Sequence, residues 1–559
     1  MQRSWIHAYP PGTPEEIDAD AYPSLVSLFE ESCRRFADRP AFHNLGVTLT
    51  YAELERLSRD FGAYLQSLGL VRGDRVALMM PNLLQYPVAM FGALRAGLAV
   101  VNTNPLYTPR ELRHQLRDSG ARAIVILENF AHVLAQVHAE TSLEHIIVTG
   151  IGDLAPFPKR TVVNFVVRRI KHLVPAYDLP GAVSFRSALV AGSRSRGAPP
   201  AVGPGDIAFL QYTGGTTGVA KGAMLTHRNM IANLLQCAAF WRNLIEPGKE
   251  VVITPLPLYH IFCLTCNCLV FMQHGGLLVL ITNPRDIGSF VRELAHWKFS
   301  IMSGVNTLYS ALLGAPGFAQ LDFSHFKLGA AGGMALHPSV AERWRAVTGK
   351  PLVEGYGLTE TSPVVACNSN ESPHIGTVGV PLPSTDISIR DEDVEVGVGQ
   401  AGEICVRGPQ VMRGYWNRPD ETAKAMTPDG WLRTGDIGIV DADGYLRIVD
   451  RKKDLIIVSG FKIYPNEVEA VIGEHPAVLE GGCIGVPDER SGEAVKIFVV
   501  LRAGFTLTTE QVREHCRQRL SAYKVPKHVE FRSELPKTNV GKILRRELVR
   551  QEAEASRAA

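Results

Sequence analysis

The sequence predicts an α/β fold: a large N-terminal domain with mainly parallel sheets and a small β-rich subdomain, then a small mobile α+β C-terminal domain. Three observations lead there. Short apolar runs alternate with helical patterns through most of the chain, which is the signature of strands joined by crossover helices. From Glu403 to Leu446 the texture changes to short strands broken by Gly, Pro and Asp turns. The polar run Arg451, Lys452, Lys453, Asp454 then precedes a fresh α+β pattern. A chain of 559 residues is too long for one compact core. The expected division is therefore 1–449 for the large domain, 450–455 for a hinge and 456–559 for the mobile domain.

Individual elements follow from local chemistry. Val76 to Met80, Ala123 to Leu127 and His145 to Thr149 are β-rich runs of the buried, parallel kind. Thr50 with Glu53 forms a capping box, each side chain satisfying the other residue's free backbone N–H. Thr108, Pro109 and Glu111 repeat the device with proline at the first helical position. A second alternating block runs from Ile207 to about Glu354, so the large domain should hold two similar layers.

Composition excludes several classes. Hydrophobic residues make up 46% and charged residues 20%, ordinary for a globular enzyme. Lys plus Arg total 58 against 56 acidic residues, a balance that argues against nucleic acid as a partner. Nine scattered cysteines point to a reducing cytoplasm rather than a disulfide framework. Met1 to Gly12 lacks the apolar core of a secretory signal, and Ile261 to Met272 is too short to span a bilayer.

The richest segment is Tyr212 to Gly222, YTGGTTGVAKG, directly after the strand-like run Ile207 to Leu210. Gly214, Gly215 and Gly218 permit close backbone approach, Thr213, Thr216 and Thr217 supply hydroxyls, and Lys221 supplies a cation. That mixture suits a triphosphate. It is not a Walker A loop, because Ala220 stands where a glycine must precede Lys221. Two other motifs are decoys. Gly397, Gly399 and Gly402 spell GxGxxG, but Glu403 to Val406 reads as a strand where a dinucleotide site needs a helix. Cys263, Cys266 and Cys268 lack a second ligand pair and read as core. No GxSxG nucleophile elbow occurs.

Five motifs occur in order: the YTGGTTGVAKG loop, PLPLYHIF (Pro255 to Phe262), EGYGLTETSP (Glu354 to Pro363), the run Asp429 to Asp454, and PKTNVGK (Pro536 to Lys542). Together they resemble the core motifs of the AMP-forming acyl-CoA synthetases, the adenylate-forming enzymes, over essentially the whole chain. With MMPNLLQYP and NPLYTPREL, the Asp429–Lys453 block is most similar to bacterial long-chain fatty-acid–CoA ligases.

The resemblance implies ATP- and Mg²⁺-dependent activation of a long-chain fatty acid to its CoA thioester through an acyl-adenylate, with release of pyrophosphate and AMP. Thr213, Gly214, Gly215, Thr216, Thr217 and Lys221 would hold phosphates. Glu360, beside Thr359, would hold Mg²⁺, a hard cation that favours oxygen ligands, with Thr217 as a second ligand. Gly355, Tyr356 and Gly357 would form the adenine wall, Asp436 would accept the ribose hydroxyls, and Arg451 would reach the ribose–phosphate region. Lys542 would stabilise the charge developed when a carboxylate attacks the α-phosphate, and His260 would gate the acyl carboxylate. Ser459, Gly460, Phe461 and Lys462 would line the CoA channel after rotation about Lys453. Trp241, Phe240 and Met334 are candidates for the acyl tunnel.

Two alternatives stay open at this level: a fatty acyl-AMP ligase loading a carrier protein, and a non-catalytic membrane-associated lipid-binding protein. Leu154 to Tyr177 has no acidic residue but carries Lys159, Arg160, Arg168, Arg169 and Lys171, with Val163, Val167, Ile170 and Val174 at helical spacing. Such a helix suits peripheral docking to an anionic membrane surface, the inner face of the cytoplasmic membrane. Oligomeric state is unreadable, a homodimer being one expectation.

Overall fold

The computed structural model describes residues 3–195, 197–213, 220–371, 373–488, 490–538 and 541–558. Two large sheets form the N-terminal part. The first has seven strands in the order Val183–Ser184, His145–Thr149, Ala123–Leu127, Arg75–Met79, Ala99–Asn102, Ile207–Thr213, Lys221–Thr226. All neighbours are parallel except the last pair, in which Thr213 stands opposite Lys221. The glycine-rich segment therefore joins two antiparallel strands rather than a strand and a helix.

The second sheet has nine strands, with a parallel centre from Pro40–Asn44 through Leu277–Leu280, Val251–Thr254, Ile301–Gly304 and Leu328–Ala331 to Leu352–Gly357. Antiparallel strands close both of its edges. One core joins the two sheets. In the helix Gln85–Arg95 every residue from Gln85 to Leu94 is buried, as a helix packed on all sides must be. Both expected capping boxes form: Thr50 and Thr108 each exchange backbone hydrogen bonds with Glu53 and Glu111.

A third sheet is antiparallel throughout: Val394–Glu395, Asp386–Asp391, Gly402–Arg407, Leu432–Val440, Leu446–Arg451. It begins at Asp386, before the change of texture at Glu403. Gly397 to Gly402 is a loop feeding a strand of this sheet, so that GxGxxG opens no helix. A 3₁₀ turn, Lys452–Asp454, leads into a fourth sheet. There Phe461–Ile463, Ile456–Val458, Gly492–Leu501 and Val478–Asp488 are antiparallel, with His528–Phe531 parallel beside Gly492–Leu501. The helices Pro465–Gly473 and Arg545–Ala558 pack against its strand Val478–Asp488.

The basic segment is helical from Lys159 to Ile170, and its orientation corrects the sequence reading. Val167 is buried and Val163 half-buried, while Val174 lies beyond the helix. Asn164 accepts from the Gly152 N–H and donates to Asp153, which pins that side of the helix to the protein. The outward side chains are Phe157, Val162, Phe165, Ile170 and Leu173. Of the periodic set only Val163 and Val167 pack against the protein, and Ile170 points outward. Cys263, Cys266 and Cys268 are buried free thiols on and beside the π-helical turn Leu264–Leu269.

Candidate functional site

A cleft of about 2970 Å³ lies between the large domain and the C-terminal sheet, lined by residues of both. Its most ordered corner is built by adjacent strands. Asp436 and Arg451 stand opposite one another in the third sheet, and Arg451 Nε lies 2.6 Å from Asp436 Oδ1. The Tyr356 hydroxyl, from the end of Leu352–Gly357, donates to Asp436 Oδ2 at 2.6 Å. Thr434 Oγ1 accepts from the Asp436 N–H at 3.1 Å. The Asp436 carboxylate is buried, and burial together with that carboxylate pushes the Tyr356 hydroxyl well above the usual phenol range.

Gly357 has a local reason to be glycine. A Cβ there would sit 2.0 Å from the Pro363 carbonyl oxygen on the returning strand, so its smallness serves the fold. Gly355 and Thr359 line the cleft on either side.

A second cluster gathers around Lys221 and Glu360. The Tyr415 hydroxyl donates to Glu360 Oε1 at 2.7 Å, and Lys221 Nζ lies 4.9 Å from the centroid of the Tyr415 ring. Lys221 is paired with Glu421 at 2.5 Å. Thr213 lines the same cleft, whereas Gly214, Gly215, Thr216 and Thr217 lie outside the described residues. The sequence reading missed Tyr415 and Glu421. They stand in an Arg-Gly-Tyr-Trp turn and a short helix with no periodicity of their own, so only tertiary pairing reveals them.

Lys542 enters from the C-terminal side. Among the described residues no carboxylate lies within ion-pair distance of its ammonium. Burial lowers its pKa to about 8; Arg451 and Arg545 reinforce that, while Asp436 and Asp454 oppose it. The turn before it is held by the Thr538 N–H donating to the Lys542 carbonyl at 2.7 Å. Gly541 has φ +82°, and a Cβ there would meet Thr307 Oγ1 of the large domain at 2.6 Å. Glycine is the residue that lets this turn press against helix Asn306–Leu313.

His260 caps the short helix Ile261–Cys263, its Nδ1 accepting from the Phe262 N–H at 3.3 Å. Burial holds its pKa near 4, so the ring is neutral, and the acceptor role of Nδ1 assigns the proton to Nε2. A buried chain fixes this loop. Tyr86 donates to Asn102, Asn102 donates to Gln211, and Gln211 donates to the Tyr259 carbonyl, at 2.6, 2.9 and 2.8 Å. Beyond His260 the wall turns apolar, with Trp241, Leu256, Ile261, Phe262, Met334 and Cys367. Phe240 instead packs edge-on against Tyr9, away from the cleft.

Glu354, not singled out in the sequence, faces the cleft and accepts from the Leu336 N–H at 3.2 Å; burial lifts its pKa to about 7. Ser459, Gly460, Phe461 and Lys462 form an exposed hairpin turn outside the cleft, where Phe461 stacks on Tyr523 with centroids 4.8 Å apart. Lys453 lies in the 3₁₀ turn at the cleft edge.

The AMP-binding enzyme model matches residues 29–416, and the AMP-binding enzyme C-terminal domain model matches residues 467–542. A long-chain-fatty-acid–CoA ligase of Salmonella typhimurium is 59% identical over 551 residues, 98% of both chains. Among solved structures, an anthranilate CoA ligase with anthranoyl-AMP aligns at TM-score 0.85 and 25% identity, covering 97% of this chain and 100% of that one. MatB from Rhodopseudomonas palustris is 29% identical, with 94% and 98% of the chains covered; its ATP-bound form aligns at 0.82 and its apo form at 0.72. With one family model spanning most of the chain and a second matching its C-terminal part, this protein belongs to the AMP-binding enzyme family.

Proposed function

We propose that this protein activates long-chain fatty acids to their CoA thioesters in two half-reactions at the cleft. The observation that carries the reading is the convergence of Tyr356, Asp436 and Arg451 from the large domain with Lys542 from the C-terminal one, in a cleft with an apolar branch beyond His260. In the first half-reaction the fatty carboxylate attacks the α-phosphorus of ATP; the bond to pyrophosphate breaks and acyl-adenylate forms. In the second, the CoA thiol attacks the acyl carbon and AMP leaves with the bonding pair.

Asp436 is positioned to take the ribose hydroxyls and Tyr356 the base. Arg451 and Lys542 stabilise charge building at the α-phosphate. Lys221 would exchange Glu421 for phosphate oxygens. A neutral His260 donates from Nε2 to an incoming carboxylate without the cost of burying a second cation. Glu360 offers a carboxylate oriented by Tyr415, an oxygen donor that fits Mg²⁺, with Thr217 as the expected second ligand. When bound, the ion supplies neutralisation of the triphosphate charge. After rotation about Lys453, the turn Ser459, Gly460, Phe461, Lys462 would face the cleft and admit CoA, and Trp241 and Met334 would line the acyl path. The rival reading as a carrier-loading acyl-AMP ligase finds no inserted segment between Asp436 and Asp450, where one tight turn joins two paired strands.

The same reading places the enzyme on the inner face of the cytoplasmic membrane, from which its substrate would be drawn. Among the described residues no helix is long and apolar enough to cross a membrane. Support for docking is the outward set Phe157, Val162, Phe165 and Ile170, at 76%, 57%, 57% and 62% exposure, beside Arg169 and Lys171. Arg168 is instead committed to Glu128 at 2.5 Å.

Pyrophosphate release across saturated fatty acids of increasing length, with and without CoA, tests the function; no release with any of them rejects it. Lys542→Ala should lower pyrophosphate release by ~10²–10³ while still converting supplied acyl-adenylate and CoA to acyl-CoA.

The ammonium of Lys542 is present below its pKa of about 8 and lost above it. For pyrophosphate release, kcat/KM should therefore fall as pH rises through that value. Conversion of supplied acyl-adenylate should lack that limb.

Glu360→Gln preserves shape and should demand more Mg²⁺ for a lower rate at unchanged Tm; an unchanged magnesium titration removes Glu360 from the site. Phe157→Ser with Phe165→Ser should reduce co-sedimentation with anionic vesicles, and Arg169→Gln with Lys171→Gln should remove its salt dependence. Wild type that stays in the supernatant at low salt rejects the docking.

A further inference from the structure

We infer that Asp450 and Arg545 form a latch across the hinge that seats Lys542 in the cleft, so that the pair favours acyl-adenylate formation over thioester formation. The inference rests on the two-half-reaction reading above.

Asp450 belongs to the large domain by register, opposite Ile437 in the third sheet. Its carboxylate is fully buried, yet two of its three bonds come from the other side of the hinge. Arg545 Nη1 lies 3.0 Å from Oδ1, and the Asn466 N–H donates to Oδ2 at 2.6 Å. The third is the adjacent Arg451 N–H, at 2.7 Å. Asn466 Nδ2 also reaches the Val449 carbonyl at 3.2 Å.

On the C-terminal side the partners are already assembled. Arg545 is held by Glu469 at 2.6 and 2.9 Å and donates to Asn466 Oδ1, while Glu469 accepts from the Cys483 N–H at 2.7 Å. This unit keeps its internal bonds wherever the domain goes. If the domain turns about Lys452–Asp454, Asp450 stays on its strand and loses both cross-hinge donors. Charge-assisted bonds such as these are the strong ones, and only the seated arrangement makes them. The bias is therefore directional.

The latch bears on catalysis through chain geometry. Arg545 opens the helix Arg545–Ala558 three residues after Lys542, so seating Arg545 fixes the turn that carries the lysine. Two further contacts cross the same boundary: Gly541 against Thr307, and Gly473 against His337.

Asp450→Asn tests the inference because it keeps shape and removes the charge, and its single amide oxygen cannot serve the Asn466 N–H on one side and Arg545 on the other, so at least one cross-hinge bond is lost. Pyrophosphate release should fall about 10- to 100-fold, the range of a typical coupling between two conformations. Conversion of supplied acyl-adenylate and CoA should be unchanged or faster. Trypsin should cut the folded variant faster after Lys452 and Lys453. Gly473→Leu, whose side chain would crowd His337 across the same boundary, should show the same split and reports from a second contact if Asp450→Asn misfolds. Equal losses in both half-reactions at unchanged Tm, or no loss in either, overturn the latch. Wild type that fails to release pyrophosphate rejects the underlying function, whereas a Lys542→Ala split without an Asp450→Asn split rejects the latch alone.

Discussion

Asp436 ties the working parts of the molecule together. One carboxylate oxygen holds Tyr356 from the second sheet, and the other holds Arg451 at the end of the third. From Arg451 the chain passes through a single 3₁₀ turn into the C-terminal domain. The position of this one buried acid therefore relates two sheets and the start of the hinge. Removing Arg451 would leave the buried Asp436 carboxylate without its cation, a destabilising change. Asp436 cannot be altered for binding without disturbing the frame.

Burial acts on His260, Lys542 and Glu354 in the cleft, but its chemical result differs with the neighbours. His260 has no charged partner to offset desolvation and is a neutral donor. Lys542 has acids and guanidiniums around it, and the balance leaves it near 8, still charged at neutral pH. Glu354 sits near 7 because a single backbone N–H compensates its burial only in part. One low-dielectric cleft thus supplies a neutral donor, a cation and a carboxyl poised between its two states.

The basic helix shows how patterning and orientation can part company. Val163 and Val167 were at the right spacing for a face, and they do form one, but it packs inward beside the Asn164 bonds to Gly152 and Asp153. Apolar residues occur on both sides of this short helix, so hydrophobicity alone could not choose which side meets the protein. The five-residue π turn Val166–Ile170 shifts the phase further.

The sequence by itself determined the parallel α/β class and both capping boxes. Each of these depends on residue types at short spacing. The family resemblance was equally legible, since its five motifs are contiguous stretches. Tertiary structure alone decided which groups meet. Tyr415 on Glu360, Glu421 on Lys221, the Tyr86–Asn102–Gln211 chain beneath His260, and Asp450 on Arg545 join residues separated by 16 to 200 positions. It also decided that Gly357 yields to Pro363 and Gly541 to Thr307. Such pairings arise when strands distant in the chain become neighbours and bury charge in common, and no local spacing encodes that.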